Sequence, residues 1–221
     1  MTSEGASRNP PLARLPSGRH RLTREAVHDS QRQRLLLAIA QVVAEKGFAA
    51  ATVADVVNRA SVSRSTFYQH FQDKESCFLA SFNYAVGLVI EQMREAWEAL
   101  DAGEDWRAHL RSDLTTFLRA LAAEPAFARA LHVEVLAAGP AALERRAEIL
   151  TLFTERTRRN HVLARTQEPR LPELPLEVFQ MHTGGLDELI REHARTRGPE
   201  SLTELIEPAV AATLALFGDT R

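Results

Sequence analysis

Two N-terminal caps eleven residues apart, Thr52 and Ser63, constrain this chain more than any other feature. So short a spacing leaves room only for two brief helices and a tight turn between them. Thr52 has Asp55 three residues on, the spacing at which a cap hydroxyl takes the third amide and an acid returns the bond. Val53, Val56 and Val57 then give one apolar side, and this helix is predicted to end near Ala60. Ser61 and Val62 connect it to Ser63, which caps the next helix. There Phe67 and Phe71, four apart, point the same way and are predicted to face inward, leaving Arg64, Ser65, Tyr68 and Gln69 outside. Two short capped helices joined this way form a helix-turn-helix, whose second helix can lie in the major groove while the first braces it.

The rest of the chain carries helical periodicity and no alternating strand pattern, so an all-α fold of about nine helices is expected. Residues 1–21, punctuated by Pro10, Pro11, Pro16 and Gly18, form a basic arm. Thr23 is positioned to cap a short helical lead-in through Arg24 to His28. A firm helix then starts at Ser30, whose partner Gln33 completes a second capping box, and Gly47 ends it. Residues 22–75 would thus be a three-helix DNA-binding domain, and residues 76–221 a larger helical domain. A long fourth helix is predicted over 74–100, followed by helices near 105–124, 126–138, 141–166, 175–197 and 200–217, with prolines and glycines marking the breaks.

Charge divides along the same line. Residues 1–75 hold 11 Lys+Arg against 7 Asp+Glu, a net of +4, and the remainder nets −6, which suits phosphate contact by one end only. No apolar run approaches the roughly 20 residues that cross a bilayer, and the N-terminal arginines have no apolar segment of a secretory signal behind them. Cys77 is the only cysteine, so no intrachain disulfide can form and a cytoplasmic location is expected.

The run TVADVVNRASVSRSTFYQHFQDKESCF is similar to the signature of the TetR family of transcriptional regulators, in Thr52, Val62, Ser63, Thr66, Tyr68, His70-Phe71 and Lys74. The resemblance is strong over residues 30–80 and weak beyond. It departs at Ser61, where the family usually has glycine and a left-handed serine costs about 1 kcal/mol, and at Ser65, also commonly glycine. Thr52, Ser63 and Lys74 stand at helix N-termini, where free N–H groups and the helix dipole favour phosphate oxygens. Tyr68 and His70 resemble the family's phosphate-contacting pair. Arg64 is the leading candidate for base readout, because its fork matches guanine, with Ser65, Thr66 and Gln69 behind it. Arg19 and Arg21 on the arm either enter the minor groove or only add positive charge.

The resemblance implies that residues 76–221 bind a small-molecule effector and form a homodimer, through a four-helix bundle built from helices 174–196 and 200–217. The final helix, with Leu202, Leu205, Ile206, Ala209, Val210, Leu214 and Phe217, is too apolar for a solvent-facing element. Gly184 and Gly185 suit close approach of another helix, the lesser alternative being that both features pack within one chain. Phe117, His132, Glu134 and Met181 are the candidate lining of a pocket for a hydrophobic or amphipathic molecule. Trp97 and Trp106 flank a turn and are expected to pack at helix ends. No catalytic constellation, zinc spacing or phosphate loop is present in the sequence, so neither an enzyme nor a metal or cofactor is expected. The expectation is a ligand-responsive repressor that binds a palindromic operator as a dimer, coupled through the long fourth helix. A helical small-molecule carrier without DNA binding is the alternative.

Overall fold

The computed structural model describes residues 24–100 and 104–219. Among them the order is α1 (Arg24–Lys46), α2 (Val53–Ala60), α3 (Arg64–His70), α4 (Lys74–Glu98), α5 (Trp106–Ala123), α6 (Pro125–His132), α7 (Pro140–Gln167), α8 (Leu176–Arg197) and α9 (Ile206–Leu216). Short 3-10 segments cover Glu134–Ala137 and Pro199–Leu205. No described helix is long and apolar enough to cross a membrane.

Two expected boundaries are corrected. Ser30 lies inside α1 rather than at its start, because nothing between Arg24 and Lys46 breaks a helix and the lead-in simply continues into it. The expected helix over 200–217 is a 3-10 stretch followed by the eleven-residue α9. Pro208 explains the division. It lacks an N–H and its ring would strike the carbonyl four residues back, so it is tolerated only in the first turn of a helix, and α9 begins two residues before it.

The helix-turn-helix forms as its capping predicts. Thr52 and Asp55 complete a capping box, and the Ser63 side chain accepts from the Thr66 amide. The turn is a Schellman motif, with the Ser61 amide on the Asn58 carbonyl at 3.3 Å and the Val62 amide on the Val57 carbonyl at 3.1 Å. Ser61 takes the left-handed conformation that closes it, at φ 52°, ψ 49°. Arg34 of α1 reaches across and donates to the Ala60 and Ser61 carbonyls at 3.1 and 3.4 Å, satisfying acceptors that the end of α2 leaves free. Arg59 pairs with Glu45, its two terminal nitrogens at 2.8 and 2.6 Å from the carboxylate, and so fixes α2 against α1.

α1 packs on α2, α4 and α6. Its Leu35, Leu36, Ile39 and Val43 are fully buried, and they belong to one core that runs through Phe67, Phe78 and Phe82 to Leu118, Leu131 and Ile190. A smaller cluster gathers Trp106, Phe179 and Phe217 where the ends of α5, α8 and α9 meet. Trp106 packs there at a helix end, as expected, its amide donating to Gln167 Oε1 at 2.8 Å.

The left-handed serine gives a stability test. Ser61→Gly removes the Cβ conflict, so unfolding stability should rise by up to about 1 kcal/mol, read as a higher urea midpoint with no change in m value. A midpoint that stays put or falls would show that the turn is not strained by its serine.

Candidate nucleic-acid interface and regulatory cavity

α3 presents Arg64, Ser65, Tyr68 and Gln69 to solvent, with Thr66 half-buried, while Phe67 and Phe71 anchor it from beneath. Its first turn carries a cluster of hydroxyls: Ser63 Oγ lies 2.7 Å from Ser65 Oγ and 2.8 Å from Thr66 Oγ1. Arg64 lies along Tyr68 one turn on, its guanidinium 5.7 Å from the ring centroid and one nitrogen 3.4 Å from the hydroxyl. Thr52 is exposed at the start of α2, but its hydroxyl is committed to Asp55, donating at 2.7 Å. Hydrogen bonds from Lys46 and Thr52 hold the Asp55 carboxyl down at about 2.

Two of the residues expected to contact phosphate are engaged within the chain. Lys74 turns inward. Its ammonium donates to the Phe48 carbonyl at 2.8 Å and the Ala51 carbonyl at 2.9 Å, and it lies 4.4 Å from the centre of the Phe48 ring. The loop between α1 and α2 leaves those carbonyls without helical partners, and the ammonium satisfies both. His70 is likewise turned under α1, its ring 4.1 Å from that of His28. Solvent does not reach its ring nitrogens, and neither has a hydrogen-bond partner among the described residues. Burial, then His28 and Arg32, push its pKa below the usual histidine value, so the ring stays neutral. Arg19 and Arg21 lie outside the described residues.

In the larger half, α4 to α8 and Thr213 of α9 surround a cavity of about 980 Å3, counted to include the solvent at its open mouth. Its wall is mostly aliphatic and aromatic, with Phe82, Met93, Phe117, Leu121, Phe153 and Ile190. Phe117 and His132 are there as expected, and Phe117 also stacks on Phe153 at 5.1 Å. Glu134 and Met181 are not. Met181 is 76% exposed on the outer face of α8. Glu134 points away from the cavity to the α1–α2 loop, where it accepts from the Phe48 amide at 3.3 Å.

Apart from His132, the charged groups of the cavity wall were not among the expected lining residues. Asp187 is held by His132 Nδ1 at 2.9 Å and by Arg146. Burial would raise this carboxyl, but the two partners outweigh it and keep it below the ordinary range. Asp113 is held by Arg156 Nε at 3.0 Å and Asn160 at 2.8 Å. A signal for both was present: each acid interrupts an apolar helical stripe, Asp113 between Leu110 and Phe117, Asp187 between Thr183 and Ile190. His182 bonds Thr213 Oγ1 at 2.8 Å; since that hydroxyl donates to the Ala209 carbonyl, His182 Nε2 carries the proton. Burial lowers the His182 pKa. Cys77 lies within the core, its thiol pushed up to about 12 by burial, which makes it a small hydrophobe and no nucleophile. Among the described residues no cluster suited to a metal ion occurs.

An all-helical protein with an N-terminal helix-turn-helix and a cavity among its later helices is the class that this geometry defines. Residues 35–81 match the family model described as "Bacterial regulatory proteins, tetR family". The HTH-type transcriptional activator FasR of Mycolicibacterium smegmatis is 31% identical over 102 residues, 46% of this chain and 45% of FasR. The uncharacterized HTH-type transcriptional regulator YerO of Bacillus subtilis is 29% identical over 72 residues, 33% of this chain and 25% of YerO. This chain therefore spans less than half the length of the curated relatives it matches. Across almost the whole fold, the fatty acid degradation regulator FadR from Bacillus halodurans superposes with a TM-score of 0.70 at 23% identity, covering 86% of this chain and 96% of that one. The transcriptional regulator FadR from Bacillus subtilis, in complex with stearoyl-CoA, gives 0.72 at 19% identity, covering 86% and 99%. Residues 35–81 thus resemble the DNA-binding segment of TetR-family regulators, and almost the whole chain shares the fold of the two FadR structures.

The inward Lys74 predicts a stability phenotype. Lys74→Met keeps the stem but strands two carbonyls, and should lower unfolding stability by about 1.5–3 kcal/mol. The slope of duplex-DNA affinity against salt should match the wild type, where a phosphate-paired lysine would flatten it by about one. A flattened slope with unchanged stability would return Lys74 to the interface.

Proposed function

We propose that this protein is a transcriptional regulator, acting as a repressor in the cytoplasm, that binds a palindromic operator as a homodimer and releases it when an amphipathic, acyl-chain-like effector fills the cavity. The observation that carries the proposal is α3. It is a capped helix anchored by two buried phenylalanines, and it offers Arg64, Ser65, Tyr68 and Gln69 outward on a core continuous with the cavity wall. Arg64 would read a guanine edge. Tyr68, Thr66 and the amides at the N-termini of α2 and α3, capped by Thr52 and Ser63, would take phosphates. An acyl-chain effector is supported by the apolar cavity wall and by the stearoyl-CoA held by the FadR of Bacillus subtilis, which shares the fold.

Dimerisation is supported by the outer faces of α8 and α9. α9 exposes Ala211, Ala212 and Ala215, and α8 exposes Leu176, Met181 and Leu189. Gly184 and Gly185 are exposed too, and a Cβ built on either would meet nothing within 4 Å, so no close packing inside this chain explains them. A second copy laying its own α8 and α9 on this face would bury small and apolar surface and bring two α3 helices to successive half-sites.

Two links would carry the response. α4 starts beside the α1–α2 loop and runs to the cavity, and α6 ends between His132 in the wall and Glu134 on the Phe48 amide. An effector that displaces His132 would shift Glu134 with it.

Gel shifts with the chain's own upstream region test the DNA reading. Arg64→Ala should lose about 1–3 kcal/mol of discrimination at one base pair per half-site while keeping affinity for random duplex. The assignment is wrong if random and operator DNA weaken alike, and no shift at any salt would leave a small-molecule carrier as the better description. For the dimer, Ala212→Arg should sediment as a monomer and lose at least about 100-fold in operator affinity. A variant that stays dimeric would place the interface elsewhere.

A further inference from the structure

Five threonines inside α7, α8 and α9 satisfy themselves: Thr151, Thr157, Thr166, Thr196 and Thr213 each return the hydroxyl to the carbonyl four residues back. Thr183 does not. It lines the cavity from α8 at 9% exposure, and its Oγ1 has no hydrogen-bond partner among the described residues. One turn further along the same face stands Asp187, and the Arg146 that pairs with Asp187 keeps a buried Nε–H that is also unpartnered. A buried polar group without a partner costs about 1–3 kcal/mol, so two of them beside one cavity form a site that the protein itself leaves incomplete.

The charges around this site decide what can complete it. Asp187 is balanced by Arg146, with His132 as a second donor, and Asp113 on α5 is balanced by Arg156 with Asn160. No surplus cation remains among these groups for an anion, and a ligand carboxylate placed here would sit beside the Asp187 carboxylate. The two open groups are both N–H or O–H donors, and they need an acceptor without charge.

We propose that Thr183 and Arg146 Nε form a subsite for an uncharged carbonyl oxygen, such as that of an ester, thioester or ketone, within an otherwise apolar ligand. The subsite rests on the cavity being the effector site. It selects a neutral acyl derivative over the free acid, because the acid brings a charge that the wall has no means to neutralise. Apolar walls supply affinity for the chain, and this one polar pair fixes its position along the cavity.

Thermal midpoints of the full chain, titrated with methyl laurate, laurate or dodecane, read the three affinities separately. At neutral pH wild type should bind methyl laurate about five- to tenfold more tightly than either laurate or dodecane. Thr183→Val, close in shape, should cut the preference for methyl laurate over dodecane at least in half on a free-energy scale while leaving dodecane unchanged, Arg146 keeping the remainder; Thr183→Ser should keep the full preference. Laurate binding as tightly as its ester, or an ester preference undiminished in the valine variant, would overturn the subsite and leave the cavity reading standing. Failure of all three probes to bind wild type would overturn the cavity reading, and the subsite with it. The wild-type comparison needs no variant, so it decides even if the valine protein is unstable.

Discussion

α1 is the element on which both halves of this protein depend. Leu35, Leu36, Ile39 and Val43 are fully buried, and the carbonyls of Leu35 and Leu36 each accept a second bond from α4, through Cys77 Sγ at 3.9 Å and Ser81 Oγ at 2.7 Å. The same helix supplies Arg34 to the turn, Glu45 to Arg59 and Lys46 to Asp55. α2 and α3 are eight and seven residues long, too short to be stable alone, so their geometry is the geometry α1 imposes. Because α6 packs on α1 as well, α3 and the cavity wall belong to a single close-packed core, and a shift in one is felt in the other.

What was legible in the sequence was local. Thr52, Ser63 and the inward pair Phe67 and Phe71 act within a few residues of themselves, and their spacing alone specifies caps and faces. Even the departure at Ser61 was readable, since the turn requires a left-handed residue whatever occupies the position. What was illegible was tertiary. Lys74 meets carbonyls 26 and 23 residues away, and Glu134 meets an amide 86 residues away; in the sequence these are an ordinary helix-start lysine and an ordinary acid near a helix end. His70 keeps the family's position, yet its surroundings come from His28 and Arg32 of a helix that the sequence suggested was broken. Met181 sits on a helix apolar enough to suggest a lining residue, but α8 turns Thr183, Asp187 and Ile190 inward instead.

The buried acids have a physical meaning beyond their own pairing. Replacing a buried ion pair with matched apolar groups is often neutral or stabilising, so Asp113 with Arg156, and Asp187 with Arg146, are a weak means of holding α5, α7 and α8 together. Their effect on the cavity is more specific. They place directional groups in a wall that would otherwise be featureless to a sliding hydrocarbon, and they do so while leaving the net charge near zero. Position along the cavity then matters, which a purely apolar wall cannot enforce.

The size of the proposed response follows from the same bonds. Coupling between an effector and a DNA site is typically about 1–3 kcal/mol. A single hydrogen bond to a charged group contributes about 1.5–3 kcal/mol. The Glu134 carboxylate on the Phe48 amide is one such bond, and it lies two residues from His132 in the cavity wall. Phe48 is held from its other side by Lys74, on its carbonyl and its ring, so the α1–α2 loop is gripped by one anion from the larger half and one cation at the start of α4. In the proposed regulation, loosening the anionic grip alone would change the loop's energy by as much as such a coupling requires. No large rearrangement of the core is needed, and in a core packed without slack none would be cheap.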